Sequence, residues 1–88
     1  MKTTYRQERI RKLMLAKTYR PRGSSIRWAI LARAYHGGYV LLACREKTGK
    51  YAEYCVFTDL LSERSIPSDS YCGSRKACLE TFIEKVSE

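Results

Sequence analysis

Nine basic side chains fall within the first 27 residues: Lys2, Arg6, Arg9, Arg11, Lys12, Lys17, Arg20, Arg22 and Arg27. Glu8 is the one acid among them. Guanidinium and ammonium groups at this density suit one kind of chemistry, the binding of phosphate or carboxylate oxygens. A cation seated on a nucleic-acid phosphate releases condensed counterions, and this favours binding without any reading of bases. A guanidinium also forks onto two oxygens at once, which an ammonium cannot do. Residues 28–88 carry eight basic and eight acidic side chains, so the net charge of +8 resides in the first third of the chain. Such asymmetry points to a polyanionic partner or an acidic surface.

Other candidate chemistry is thinner. The four cysteines, Cys44, Cys55, Cys72 and Cys78, contain no Cys-x-x-Cys pair, and His36 is the lone histidine. Tetrahedral zinc sites draw their ligands from close pairs, so no metal and no cofactor is expected. Cys44, Cys55 and Cys78 read as small apolar fillers, and Cys72 as an exposed, oxidisable thiol. There is no glycine-rich phosphate loop. One enzymatic reading survives, with His36, Arg33, Arg45 and Tyr54 as candidates. Arginine would stabilise a pentavalent phosphate there, and tyrosine or histidine would move the proton. In size and charge the chain is similar to small basic bacterial ribonuclease toxins, although their opening strand followed by two helices is missing. Tyr35, Tyr39, Tyr51 and Tyr54 gather on the central strands or their rim. They read chiefly as strand formers with a polar tip, and secondarily as rings for bases on an uncovered sheet face that Arg27 and Arg33 would share.

The elements that must position these groups follow from periodicity. Residues 4–19 read as a helix that opens on a Thr4–Gln7 capping box and turns Ile10, Leu13 and Met14 to one side. "RPRGSS" breaks it. Residues 26–35, 39–46 and 51–58 read as three strands joined by "HGG" and "KTGK" turns. On the first strand Ile26, Trp28, Ile30, Ala32 and Ala34 take one face and Arg27, Leu31, Arg33 and Tyr35 the other. Residues 59–73 read as loop. Ser74 then caps a helix over 75–86 with a one-sided stripe of Cys78, Leu79, Phe82, Ile83 and Val86.

The expected fold is therefore α+β: helix, three-stranded antiparallel meander, helix (α-β-β-β-α), with a helix packed on one sheet face. Residues 1–25 form a basic helix-and-loop arm and residues 26–88 the meander with its last helix, a single domain overall. This order of elements resembles that of the double-stranded-RNA-binding domain. "GSRKACLETFIEKV" resembles that family's last helix, which follows a glycine with a Ser-Lys-Lys run. The chain departs from the family at Cys78 and Leu79, in a longer loop before the helix and in the absence of a recognisable histidine loop. The resemblance implies an order of elements and, by itself, no function. No RNP-type motif appears, which excludes an RRM reading.

The functional expectation is a non-catalytic, nucleic-acid-binding module, DNA or RNA, that contacts the phosphate backbone. Its candidate residues are Arg6, Arg9, Arg11, Lys12, Lys17, Arg20, Arg22, Arg27 and Arg33. The alternative partner is an acidic or nucleic-acid-binding protein surface. Small cofactor-free chains of this kind are common among phage and mobile-element accessory proteins that modulate a host nucleoprotein complex. The first helix carries no Trp or Phe, and "YVLLAC" is too short to span a bilayer, so no membrane partner is expected. Unpaired thiols and a charged amino end without an apolar run predict a cytoplasmic location. An open sheet edge or aromatic face offers a route to a homodimer.

Overall fold

The first helix begins where its backbone donors find partners. Thr4 Oγ1 accepts from the Gln7 N–H at 3.1 Å, and the Gln7 side chain accepts from the Thr4 N–H at 2.9 Å, completing the expected capping box. The computed structural model describes residues 4–47 and 53–88. In chain order it contains α1 (Tyr5–Leu15), β1 (Thr18–Tyr19), β2 (Trp28–His36), β3 (Tyr39–Glu46), β4 (Tyr54–Leu60), β5 (Ser68–Cys72) and α2 (Arg75–Val86). Lys2, Tyr51 and most of the "KTGK" turn lie outside the described residues.

The α+β class holds, but the three-stranded meander is corrected to a five-stranded antiparallel sheet in the order β1-β2-β3-β4-β5. Both added strands sit at the edges. The predicted helix over 4–19 ends at Leu15 because Ala16 turns to extended geometry, φ −67° and ψ 147°. Thr18 and Tyr19 then pair with Ala29 and Trp28, and the Ile30 N–H bonds to the Lys17 carbonyl at 3.1 Å. Burial of the Tyr19 ring to 2% exposure favours this pairing over another helical turn. Ser68–Cys72, predicted as loop, pairs with β4 from Thr58↔Ser68 to Tyr54↔Cys72. Its Ser and Asp residues are the polar dress of an edge strand.

The helices do not share a face. Along β3, Val40, Leu42 and Cys44 belong to a cluster with Leu13, Tyr19, Trp28, Phe57 and Leu60, onto which Ile10 and Met14 pack. Leu41 and Ala43 belong to a second cluster with Val56, Cys78 and Phe82. Alternate residues of a strand point to opposite faces. So α1 covers one side of the sheet and α2 the other, and the expectation of a single helix-covered face is corrected. Tyr19, Trp28 and Phe57 meet edge-on, with ring centroids 5.1 and 5.2 Å apart.

A bulge explains a second correction. The register passes from Ile30↔Cys44 to Ala32↔Ala43, so Leu31 is one residue too many. An inserted residue reverses the pleat. Trp28 and Ile30 face α1, whereas Ala32 and Ala34 face α2. Arg33 is thereby turned onto the α1 side, away from the face of Arg27. The register of β3 with β4 slips once more between Val40 and Leu42. There Asp59 adopts φ +64°, a left-handed conformation that aspartate tolerates better than most residues.

Candidate functional site

Three local devices bring the cations together. The first is α1, which presents Tyr5, Glu8, Arg9 and Lys12 to the turn after β4. Arg9 follows Tyr5 by one helical turn. Its guanidinium lies 4.0 Å from the Tyr5 ring centroid and donates to the Tyr5 hydroxyl. The second is the "RPRGSS" loop. The Ser24 N–H bonds to the Pro21 carbonyl at 3.0 Å, and Gly23 at φ +81° occupies the third position of that turn. A type II turn needs this positive φ, and its second position holds Arg22 out to solvent. Arg27 is fixed beside the loop by its bond to Thr18 Oγ1 at 3.1 Å.

The third device is the "LSERS" turn after β4. Ser65 Oγ accepts from the N–H groups of Leu61 and Ser62 at 3.0 and 3.1 Å, and Ser62 Oγ accepts from the Arg64 N–H at 3.2 Å. Serine hydroxyls thus close the turn by satisfying its backbone donors, with Glu63 and Arg64 left exposed.

These devices enclose three adjoining recesses. One of about 230 Å³ is lined by Tyr5, Arg9, Lys12 and Arg64 with Glu8 and Glu63. One of about 620 Å³ is lined by Lys17, Arg20, Arg22, Arg27 and Arg64, again with Glu63. The third, about 670 Å³, lies against Arg9, Arg22 and Arg64. Arg64 lines all three, so the recesses adjoin at its side chain, and together this cleft carries seven basic side chains.

Of the candidates from the sequence, the structure gathers Arg9, Lys12, Lys17, Arg20, Arg22 and Arg27. Arg6 stands apart, with its guanidinium 3.4 Å from the Gly38 carbonyl in the β2–β3 turn. Arg11 is exposed on α1 but lines none of the recesses. Arg33 does not stand on an open sheet face. It donates to the Leu13 and Met14 carbonyls at 3.1 and 2.8 Å, which caps the end of α1. Arg64 and Tyr5 were not among the candidates. The i, i+4 spacing of Tyr5 and Arg9 was a usable signal for one, and the serines that bracket Arg64 for the other.

The four residues of the enzymatic reading are not assembled. Arg45 pairs with Tyr54, and it lies opposite Ala29, seven residues from His36 along β2, or roughly 23 Å. His36 sits in a separate recess of about 290 Å³ with Tyr39, Asp59 and Lys85, and its Nε2 is 2.8 Å from the Glu88 carbonyl oxygen. The tyrosines are likewise dispersed. Tyr35 stands opposite Val40 on the α1 side, and Tyr39 stands opposite His36 on the other. Tyr54 packs beneath α2.

Below the cleft lies a core of protonated groups. Burial, then the nearby Cys44 and Cys55 thiols, pushes the Tyr19 hydroxyl up to about 12. Tyr19 Oη is the one buried side-chain polar atom without a hydrogen-bond partner among the described residues. Burial also pushes the Cys55 thiol up to about 12, and raises Cys44 and Cys78. Cys44, Cys55 and Cys78 are buried and Cys72 is half-exposed. Among the described residues no group of three or more His, Cys, Asp or Glu side chains could hold a metal ion, and no helix is long and apolar enough to cross a membrane. No known protein family, curated protein or solved structure matches this chain.

Proposed function

We propose that this protein binds nucleic acid through the phosphate backbone, at the cleft between α1, the 20–27 loop and the 61–65 turn, and that it does so without catalysis. One observation carries the reading. Seven basic side chains from three separate stretches of the chain line three recesses that adjoin at Arg64, with Glu8 and Glu63 the two acids among them. A solvated basic face needs no such convergence, whereas a polyanion in the recess meets several cations at once. Arg20, Arg22 and Arg64 supply forked donors for phosphate oxygens, and Lys12 and Lys17 supply point charge. The protein acts in the cytoplasm, where its four thiols stay reduced.

The test is the affinity for short nucleic-acid probes across a salt series. The logarithm of the binding constant falls by about 0.7–0.9 per neutralised phosphate for each decade of salt, so seven contacts give a slope of about 5–6. Arg64→Ala is expected to lower that slope by about 0.7–0.9. If no probe binds at low salt, the phosphate reading fails and an acidic protein surface becomes the better partner for the same cleft.

A further inference from the structure

The cleft has a shape and an exposed ring as well as a charge. We infer that its ligand is a single strand with a base stacked on the Tyr5–Arg9 pair. This rests on the phosphate-binding reading and deepens it.

Two observations support the step. The first is shape. A protein that reads duplex bases inserts a protruding helix or ribbon into a major groove about 12 Å wide; a duplex held by its phosphates alone is the outcome that equal duplex affinity would show. Here the apolar stripe of α1 is buried on the sheet, and Arg9, Lys12, Lys17, Arg20, Arg22, Arg27 and Arg64 line hollows. The recesses measure about 230, 620 and 670 Å³, the two larger within the range of small-molecule sites. A flexible strand can follow recesses of this kind nucleotide by nucleotide, its backbone tracking the cations.

The second observation is the ring. Tyr5 is 69% exposed although it sits at the rim of the smallest recess. The Arg9 guanidinium lies 4.0 Å from the ring centroid, and the exposure of Tyr5 leaves most of the ring uncovered. Lys12 and Arg64 stand beside it in the same recess. An exposed ring with cations alongside is an arrangement by which single strands are held. Every base has a face to stack, and the backbone beside it meets positive charge. Duplex bases are already stacked and cannot use the ring. The chemistry is shared by single-stranded DNA and RNA.

Fluorescence anisotropy with labelled oligo-dU, oligo-U, a duplex of the same length and an abasic phosphodiester strand tests this. The two base-bearing strands are expected to bind more tightly than the duplex and the abasic strand. Tyr5→Ala should weaken their binding by about 5- to 150-fold, the range for loss of one base–aromatic stack. Tyr5→Phe, which keeps the ring, should bind the strands like the parent, and the abasic strand should bind Tyr5→Ala as it binds the parent. A difference in affinity between oligo-U and oligo-dU, which differ only in the 2′-hydroxyl, supports the inference where Tyr5→Ala weakens both, and it assigns the sugar. Duplex affinity equal to that of the strands, or Tyr5→Ala without effect, overturns the single-strand inference and leaves phosphate contact intact. Failure of all probes at low salt overturns the proposed function itself.

Discussion

Replacing Arg33 by methionine separates the cations that hold the fold from those that line the cleft. Arg33 is half-buried and donates two hydrogen bonds, at 3.1 and 2.8 Å, to carbonyls in the last turn of α1. Those carbonyls have no partner inside the helix and carry its negative dipole end. A hydrogen bond to a charged group contributes about 1.5–3 kcal/mol. Water can reach part of this site, so the loss belongs near the lower end, about 2 kcal/mol, while methionine retains the packing of the arginine stem. For a domain of this size that is a drop in Tm of about 8–16 °C. Arg22→Met, on the exposed loop, should change stability by less than about 0.5 kcal/mol. The assay is thermal unfolding by circular dichroism for both variants, with the salt slope of probe binding measured well below either midpoint. Arg33→Met should keep the parent slope, and Arg22→Met should lose about 0.7–0.9 of it. The reasoning is refuted if Arg33→Met melts with the parent and loses slope instead, because Arg33 would then be a phosphate contact.

Gly23→Ala tests the loop. An added Cβ meets nothing within 4 Å, so its cost is the left-handed backbone alone, about 1–2 kcal/mol. Urea unfolding should show that loss with an unchanged m-value. The thiols test burial: with an aromatic disulfide reagent below pH 9, Cys72 should react first, and Cys44, Cys55 and Cys78 only once denaturant is added. Alkali tests the protonated core. Tyr19 and Cys55 hold their protons to about pH 12 in the fold, against ordinary values of 10.0 and 9.0. The folded state therefore binds more protons than the unfolded state between about pH 9 and pH 12, and stability falls as pH rises through that window. Urea midpoints should be flat from about pH 7 to pH 8.5 and decline above it. A midpoint that holds to about pH 11 contradicts the burial of these two groups.

The central strands and the last helix were legible because their signals are local. The strand predicted over 39–46 and the helix predicted over 75–86 match β3 and α2 in their bounds. The run "YVLLAC" also carries the signal of a doubly covered strand. Five of its residues, Val40 to Cys44, are buried, as expected of a strand covered on both faces. The edge strands were not legible. "TY" and "SDSYC" become strands only because β2 and β4 offer unpaired backbone, and no composition announces a neighbour. The bulge at Leu31 was equally silent, and it alone moved Arg33 from an expected surface to the end of α1. In the cleft, Arg20 and Arg22 could be read from charge. Arg64 could not, since the segment from residue 28 onward is neutral and only tertiary folding sets its turn against α1.

That folding also changes what the basic segment is. A positive tail attached to a neutral body would bind phosphates only after its backbone is ordered, at a cost of about 1–2 kcal/mol per residue. Here Leu13 is buried in the core, Arg33 ties down the last turn of α1, and Tyr19 carries β1 into the sheet. The backbone beneath Arg9, Lys12, Arg20 and Arg22 is therefore set before any ligand arrives. One helix packs on each face of the sheet, so neither face is the wholly uncovered aromatic platform that the sequence pattern suggests. Charge, fixed backbone and available space coincide on the side where α1 meets the two turns, and Arg64 stands at their junction because two serines hold its turn closed.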